Sequence, residues 1–456
     1  MPPDTPEKMP ASPPPLDGEL GFDEVTRKGR ADDFGHIVHH MPEGVVLLPG
    51  SADDVAKTIQ LAAPRGGRFA PQGQRYSTFG RSKVPGGIVA DMSALRSIRP
   101  VEGDRVVVEA GVTWSDVLRA TLAQGKTPPV LTDYLELSVG GTLIVGGVGG
   151  TTSAFGVQSD NVIDMEVVTG EGKKVTCSAS DNAGLFNAVR AGRGQVCVIT
   201  KATLKLVAAQ ESVRRFLLVY PDLATMLRDE RQLSADNRFD AVQGAIVAAP
   251  GGGLAFRLEV AKNFSGDPPD DNALLAGLSD DPAKRQAATL RYFDYLNRFA
   301  AFEAALRANG QWFFPHPWLM TFIGDSRAER VVGAELDALR PAADLGQFGQ
   351  VAIVPVRRPA ISSPLLPMPA DDLCYAFNLV RIPATGDASE ASRLVAANKA
   401  AYGRVKAAGG TLYPVSAFPL SKSEWRDHFG PAFGQLEAAK RQYDPGGILT
   451  PGYEIF

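Results

Sequence analysis

The sequence predicts an α+β protein made of two sheet-centred units. Between residues 45 and 206, short strand-like runs alternate with helical patterns, the texture of a mixed sheet with helices packed on it. From about 211 to 420 the texture changes to long amphipathic stretches between strand candidates, which suits helices covering a second sheet. The 456 residues amount to about three units at ~150 residues each, and two large ones fit equally well. An apolar fraction of 44% supplies a substantial core.

Seven prolines fall in the first twenty residues, where little apolar surface is available to bury. Residues 1–21 therefore read as a disordered tail, with packed structure starting near Phe22. A strand is expected at 45–48 and a helix over 54–62, capped by Ser51 or Asp53. Val55, Ile59 and Leu61 give that helix its apolar side, and Gly66 and Gly67 end it. Further strands are expected at 87–91, 105–109, 161–169 and 174–178, with a helix near 114–124. Beyond 211, helical stretches at 223–233, 284–309, 327–339 and 390–408 alternate with strand candidates at 241–247, 254–260, 351–356 and 373–379.

Composition excludes several classes. With 47 basic and 51 acidic side chains the net charge is -4, without the basic excess of a nucleic-acid-binding protein. Cys177, Cys197 and Cys374 form no CxxC, so neither a disulfide framework nor a thiolate zinc site is indicated. The five histidines are scattered, without HExxH or a compact carboxylate set, and no metal site is expected. No uninterrupted apolar run reaches the ~18 residues of a membrane span. The N-terminus lacks an apolar signal core, which makes a cytoplasmic location the default expectation. An enzyme acting on a small molecule is the simplest class left; oligomeric state is not legible.

Two glycine-bearing segments carry the most chemistry. Seven glycines fall between Gly140 and Gly156 in TDYLELSVGGTLIVGGVGGTTSAFG, and PQGQRYSTFG (71–80) follows a strand candidate. Glycine lets backbone amides approach a ligand without an intervening Cβ, and converging amides stabilise a pyrophosphate. Neither segment has GxGxxG or GK[ST] spacing, so the residues alone allow either a surface loop or an anion cradle. Two such loops in one unit favour an anionic cofactor.

Beyond composition, the chain resembles the cytokinin dehydrogenase branch of the vanillyl-alcohol-oxidase / p-cresol-methylhydroxylase-type FAD-linked oxidases. The resemblance rests on TDYLELSVGGTL (132–143), NVIDMEVVTGEG (161–172), FFPHPWL (313–319), EWRDHFGPAF and the terminal YDPGGILTPGYEIF. It implies a two-part FAD-binding domain (22–210 and 421–456) and an inserted substrate domain (211–420) with a helix-covered antiparallel sheet. FAD would be the cofactor. The loop Gln72, Gly73, Gln74, Arg75, Tyr76 and Ser77 would meet the pyrophosphate together with Gly140, Gly141 and Thr142. Gly146, Gly147 and Gly150 would keep the cofactor path clear, Ile199 would approach the adenine or ribitol through its backbone, and Thr450 and Tyr453 would approach the flavin.

Departures from the family pattern matter as much. Where plant members carry a histidine bonded to the flavin, this loop has Tyr76, so noncovalent FAD is expected, with a tyrosyl ether as the alternative. Asp133 matches the active-site aspartate that accepts a proton or hydrogen bond from the substrate; a turn-capping role is its plain alternative. Gln243 stands where a glutamate is expected, and Met320 where an asparagine is expected. Gln243 could instead pair with backbone and Met320 could belong to the core. Trp318 corresponds to an aromatic wall. His316 and His428 read as structural, His316 at a helix entry. The resulting expectation is hydride transfer from an activated C–H of a flat, mostly apolar amine or alcohol, with oxygen or another acceptor completing the cycle. The alternatives are an alcohol or sugar-like oxidase of the same fold and a non-catalytic flavin-containing binding protein.

Overall fold

The computed structural model describes residues 15–38, 44–249 and 251–456. Residues 1–14 of the expected tail lie outside these, but Glu19–Gly21 is a strand, paired antiparallel with Val46–Leu48. Packing thus starts earlier than expected. Leu16 and Leu20 pack on the first core, the Asp54 carboxylate accepts the amides of Asp17 and Gly18 at 2.9 and 2.8 Å, and Phe22 itself is 49% exposed. The prolines hid a short edge strand that gains its hydrogen bonds from the rest of the sheet.

The first sheet is completed by Val45–Leu48, Ile88–Asp91 and Phe69–Gln72, paired in parallel. Helix Ala52–Ala62, capped by Ser51, buries Val55 and Ile59. The second sheet is antiparallel, in the order Arg105–Glu109, Cys197–Lys205, Val162–Thr169 and Lys174–Ser178.

The third sheet has eight antiparallel strands in the order Gln286–Arg291, Ser212–Tyr220, Leu254–Phe264, Ala241–Ala248, Gln350–Arg357, Leu373–Val380, Leu319–Gly324 and Thr411–Leu412. Helices Leu223–Asp236, Asp325–Ala338 and Ala388–Ala407 bury apolar side chains and accompany this sheet. One expected helix is corrected. Residues 284–309 divide into the edge strand Gln286–Arg291, a turn of helix at Tyr292–Leu296, and helix Phe299–Ala308. Ala and Gln favour helix locally, but pairing with Ser212–Leu217 decides the conformation. Likewise PHPWL opens the strand Leu319–Gly324 instead of a helix. At the C-terminus Leu449 bridges to Phe69, bringing the last segment back beside the first sheet.

Candidate active site

Strand Phe69–Gln72 delivers the chain into the loop 73–78. Arg75 adopts φ +61, and the carbonyls of Arg75 and Ser77 accept the amides of Phe34 and Gly35 at 2.8 and 3.0 Å. With the carbonyls so engaged, the amides of Gln74, Arg75, Tyr76, Ser77 and Thr78 have no acceptor among the described residues. Successive free amides of this kind form an anion-binding concavity. A Cβ on Gly73 would stand 2.0 Å from Ser138 Oγ, so any larger residue would have to displace the Ser138 side chain where the two glycine segments approach.

In that second segment the amide of Gly140 goes to Ala110 O at 2.9 Å and that of Thr142 to Ser138 O at 3.2 Å. Of the three expected donors only Gly141 keeps a free amide among the described residues, because the Ala110 carbonyl on another segment takes that of Gly140 and the helix N-cap Ser138 takes that of Thr142. Gln72 holds the carbonyls of Arg30 and Ser82, and the Arg75 guanidinium binds Gly29 O, so both side chains tie the loop to its neighbours.

Nearby lie two buried guanidiniums without a carboxylate partner among the described residues. Arg81 donates to Phe418 O at 2.7 Å. Arg193 donates to Ala191 O and Leu365 O and contacts His428 Nε2 at 2.9 Å. Burial pushes Arg193 down to about 10 and lowers Arg81 as well. Buried positive charge is costly, and here it is met by those carbonyls and by aromatic rings: Phe79 and Tyr453 on Arg81, Phe429 on Arg193. Tyr453 lies beside both, 5.2 Å from the Arg81 guanidinium and 5.8 Å from Trp425. Thr450 Oγ1 donates to Gly194 O at 2.9 Å.

Other expected cofactor residues have protein partners. A Cβ on Gly147, at φ +81, would meet Gln158 Oε1 at 2.1 Å, while one on Gly150 would come within 3.2 Å of Gln243 Nε2. Gly146 faces Leu366. Ile199 is a core residue whose backbone pairs opposite Val167.

A cavity of about 670 Å³ lies between the glycine segments and the third sheet, lined by both. Its walls include Phe302, Leu306, Trp312, Trp318, Met320 and Phe348. Trp318 is fixed by its indole N–H to Arg381 O at 3.0 Å, and Met320 by an amide hydrogen bond to Ser416 Oγ at 2.8 Å. His316 is fully buried, stacks on Phe34 at 4.0 Å and contacts its carbonyl through Nδ1 at 2.8 Å; burial holds its pKa down at about 3.

Two polar networks face this cavity. In the first, Asp133 Oδ1 accepts from Gln243 Nε2 at 3.0 Å and from an Arg298 nitrogen at 2.8 Å. That same Arg298 nitrogen donates to Gln243 Oε1 at 2.9 Å, and Arg298 Nε lies 2.9 Å from Glu259. Gln243 and Glu259 are directly opposed on neighbouring strands, and Arg215 pairs with Glu259. Burial opposes charge on Arg298, but Asp133, Tyr295 and Glu259 outweigh it and its pKa rises. In the second, the Tyr76 and Tyr134 hydroxyls lie 2.6 Å apart, and Tyr134 donates to Glu303 at 2.7 Å. Arg307 donates to the other Glu303 oxygen at 2.7 Å.

Asp133, Gln243, Trp318, Met320 and Tyr76 therefore line one cavity. Sequence reasoning missed Arg298, Glu259, Tyr134 and Glu303. Their signal was weak: Arg298 and Glu303 fell within a stretch read as one amphipathic helix, where charge suggests a solvated face. Among the described residues no group of three His, Cys, Asp or Glu could hold a metal, and no helix is long and apolar enough to cross a membrane.

Residues 43–178 match an FAD binding domain, and 245–456 match the FAD and cytokinin binding region described for cytokinin dehydrogenase 1. An uncharacterized oxidoreductase, ORF5 in the fasciation locus of Rhodococcoides fascians, is 39% identical over 96% of this chain and 99% of its own length. Cytokinin dehydrogenase 10 of Oryza sativa subsp. japonica is 33% identical over 93% of this chain and 86% of its own. The crystal structure of 6-hydroxy-D-nicotine oxidase from Arthrobacter nicotinovorans superposes with a TM-score of 0.75 at 20% identity, covering 98% of this chain and 99% of that one, a likeness of fold. FAD is the cofactor these matches carry, and the free amides of 74–78 suit its anionic pyrophosphate. The chain belongs to the vanillyl-alcohol-oxidase / p-cresol-methylhydroxylase-type FAD-dependent oxidoreductases, as a relative of the cytokinin dehydrogenases.

Proposed function

We propose that this oxidoreductase removes a hydride from an activated C–H beside nitrogen or oxygen of a flat, mostly apolar molecule. In this reading residues up to 210 and from 421 hold FAD, through the loop 73–77 and Gly141, and residues 211–420 close over it. Bound FAD supplies the hydride-accepting chemistry. One observation carries the proposal: the Asp133 carboxylate faces an aromatic-walled cavity beside the FAD cradle, and among the described residues its Oδ2 receives only a long 3.3 Å contact from Gln243. That oxygen is open to a substrate N–H or O–H. A carboxylate so placed accepts the proton as positive charge develops on the substrate. Trp318 and Met320 bound the flat body of the substrate. Tyr76 occupies the place of the histidine that anchors the flavin in plant relatives, and its hydroxyl is already bonded to Tyr134, which favours noncovalent FAD. Oxygen or another acceptor completes the cycle.

A cytokinin-like purine is the second reading, favoured by identity to cytokinin dehydrogenase 10. Gln243 weighs against it, because both ends of its amide are occupied by Asp133 and Arg298. The test is anaerobic bleaching of the bound FAD by isopentenyladenine, aromatic allylic amines, aromatic alcohols and simple polyols. The proposal expects the aromatic amines or alcohols to bleach fastest. Rapid bleaching by isopentenyladenine alone would establish the second reading, and bleaching by polyols alone would point to a sugar-like oxidase. Acid denaturation should release free FAD; a chain heavier by one flavin would reveal a tyrosyl link.

A further inference from the structure

The two hydroxyls beside Asp133 form a chain with a fixed direction. Glu303 is ion-paired with Arg307, 44% exposed at the outer side of helix Phe299–Ala308, so its carboxylate only accepts hydrogen bonds. Tyr134 has one proton and gives it to Glu303. Tyr76 must then give its proton to Tyr134, because Tyr134 has none left to offer. What remains on Tyr76 is a hydroxyl oxygen with no donor among the described residues, at the wall of the 670 Å³ cavity. Both phenols stay protonated: burial raises Tyr134, whose hydrogen bonds to Tyr76 and Glu303 add to the effect, and burial also raises Tyr76.

We infer that Tyr76 Oη is a binding subsite for a ligand O–H or N–H, made acceptor-only by Tyr134 and Glu303. Tyr76 touches the ligand; Tyr134 and Glu303 are positioning residues that set the direction of its proton. The subsite adds to the specificity of the proposed substrate cavity and rests on that reading of the cavity. It selects molecules with a hydrogen-bond donor, and it disfavours those that offer only an acceptor, because two lone pairs would then face each other without a proton. Hydroxylated or amino-substituted aromatics are the class that fits, with Asp133 as the second acceptor in the same cavity.

Binding of 2-naphthol and 2-methoxynaphthalene to the FAD-loaded protein tests this at neutral pH by equilibrium dialysis. 2-Naphthol has no sp3 C–H, and the methoxy C–H of the ether is neither benzylic nor allylic; FAD absorbance that stays unbleached during anaerobic dialysis shows that turnover does not enter, and failure here would leave the hydride-transfer reading standing. The quantity read is the ratio of the two affinities, in which size and general packing cancel between variants. In Tyr76→Phe the acceptor is gone, and the preference for naphthol should fall roughly tenfold. In Tyr134→Phe the Tyr76 proton is released toward the cavity, so the ether should gain absolutely as naphthol loses. Glu303→Gln removes the carboxylate that sets the direction and should also reduce the ratio. A merely damaged cavity would weaken both ligands together and leave the ratio in place. An unchanged ratio in Tyr76→Phe would overturn the subsite, and unchanged ratios in Tyr134→Phe and Glu303→Gln would overturn its polarisation.

Discussion

Asp133 and Glu303 are two carboxylates on one cavity, and their partners give them different tasks. Asp133 is clamped by Arg298 and Gln243 on one oxygen, leaving Oδ2 toward the cavity. Glu303 presents no such oxygen: one is taken by Tyr134, the other by Arg307, and its influence reaches the cavity through two phenols. The first carboxylate is a direct acceptor held in place by an arginine; the second acts at a distance by orienting protons. Residue type alone would treat the pair alike, whereas the hydrogen-bond partners separate them.

The largest effect should come from breaking the direct acceptor. Asp133→Asn keeps size but removes charge, and FAD reduction followed by stopped flow should slow by roughly 10²–10⁴-fold while FAD content is retained. Next is the clamp. Arg298→Met leaves Asp133 and Glu259 without their shared cation; the pair is partly exposed, so the loss of stability should be about 2 kcal/mol, below the cost of a fully buried break. Urea unfolding measures it, and Arg298→Lys should recover only part, since an ammonium lacks the guanidinium's rigid fork. A smaller change is expected for Gln243→Glu, which replaces a donor to Asp133 by a like charge opposite Glu259: about 1 kcal/mol of stability, with any gain in reduction by isopentenyladenine locating purine selectivity at this position.

The smallest effect concerns His316, which braces Phe34 at the aromatic side of the cavity. Its folded pKa is about 3 against ~6.5 when unfolded, so below pH 6.5 the unfolded chain binds a proton that the folded chain refuses. The stability contributed by neutral His316 is complete above pH 6.5 and is lost as pH falls toward 3. At pH 5.5 the loss relative to pH 7.5 should be about 1 kcal/mol greater in the parent than in His316→Asn, measured by urea unfolding at both pH values.

The sequence made one side of this comparison far more legible than the other. Asp133, Trp318 and the glycines sit in contiguous motifs, so their grouping could be read along the chain. The Asp133 clamp spans 165 residues to Arg298 and 110 to Gln243, and the phenol chain spans 58 and then 169 residues. Neither leaves a local pattern. Arg298 was obscured further because the edge strand Gln286–Arg291 is rich in helix-forming residues, and its true partner, Ser212–Tyr220, was not recognised as a strand. Gly140 was misjudged as a free donor for the opposite reason: its motif is local, but the carbonyl that takes its amide, Ala110, lies on another segment.

The most direct test of the central claim is anaerobic stopped-flow reduction of the bound FAD by the best aromatic amine or alcohol, with hydrogen or deuterium on the carbon beside the heteroatom. Hydride transfer from that carbon, assisted by Asp133, predicts a clear primary isotope effect in the parent and a much slower reduction in Asp133→Asn. Equal rates for the two isotopologues, together with an undiminished rate in a folded, FAD-loaded Asp133→Asn protein, would contradict it.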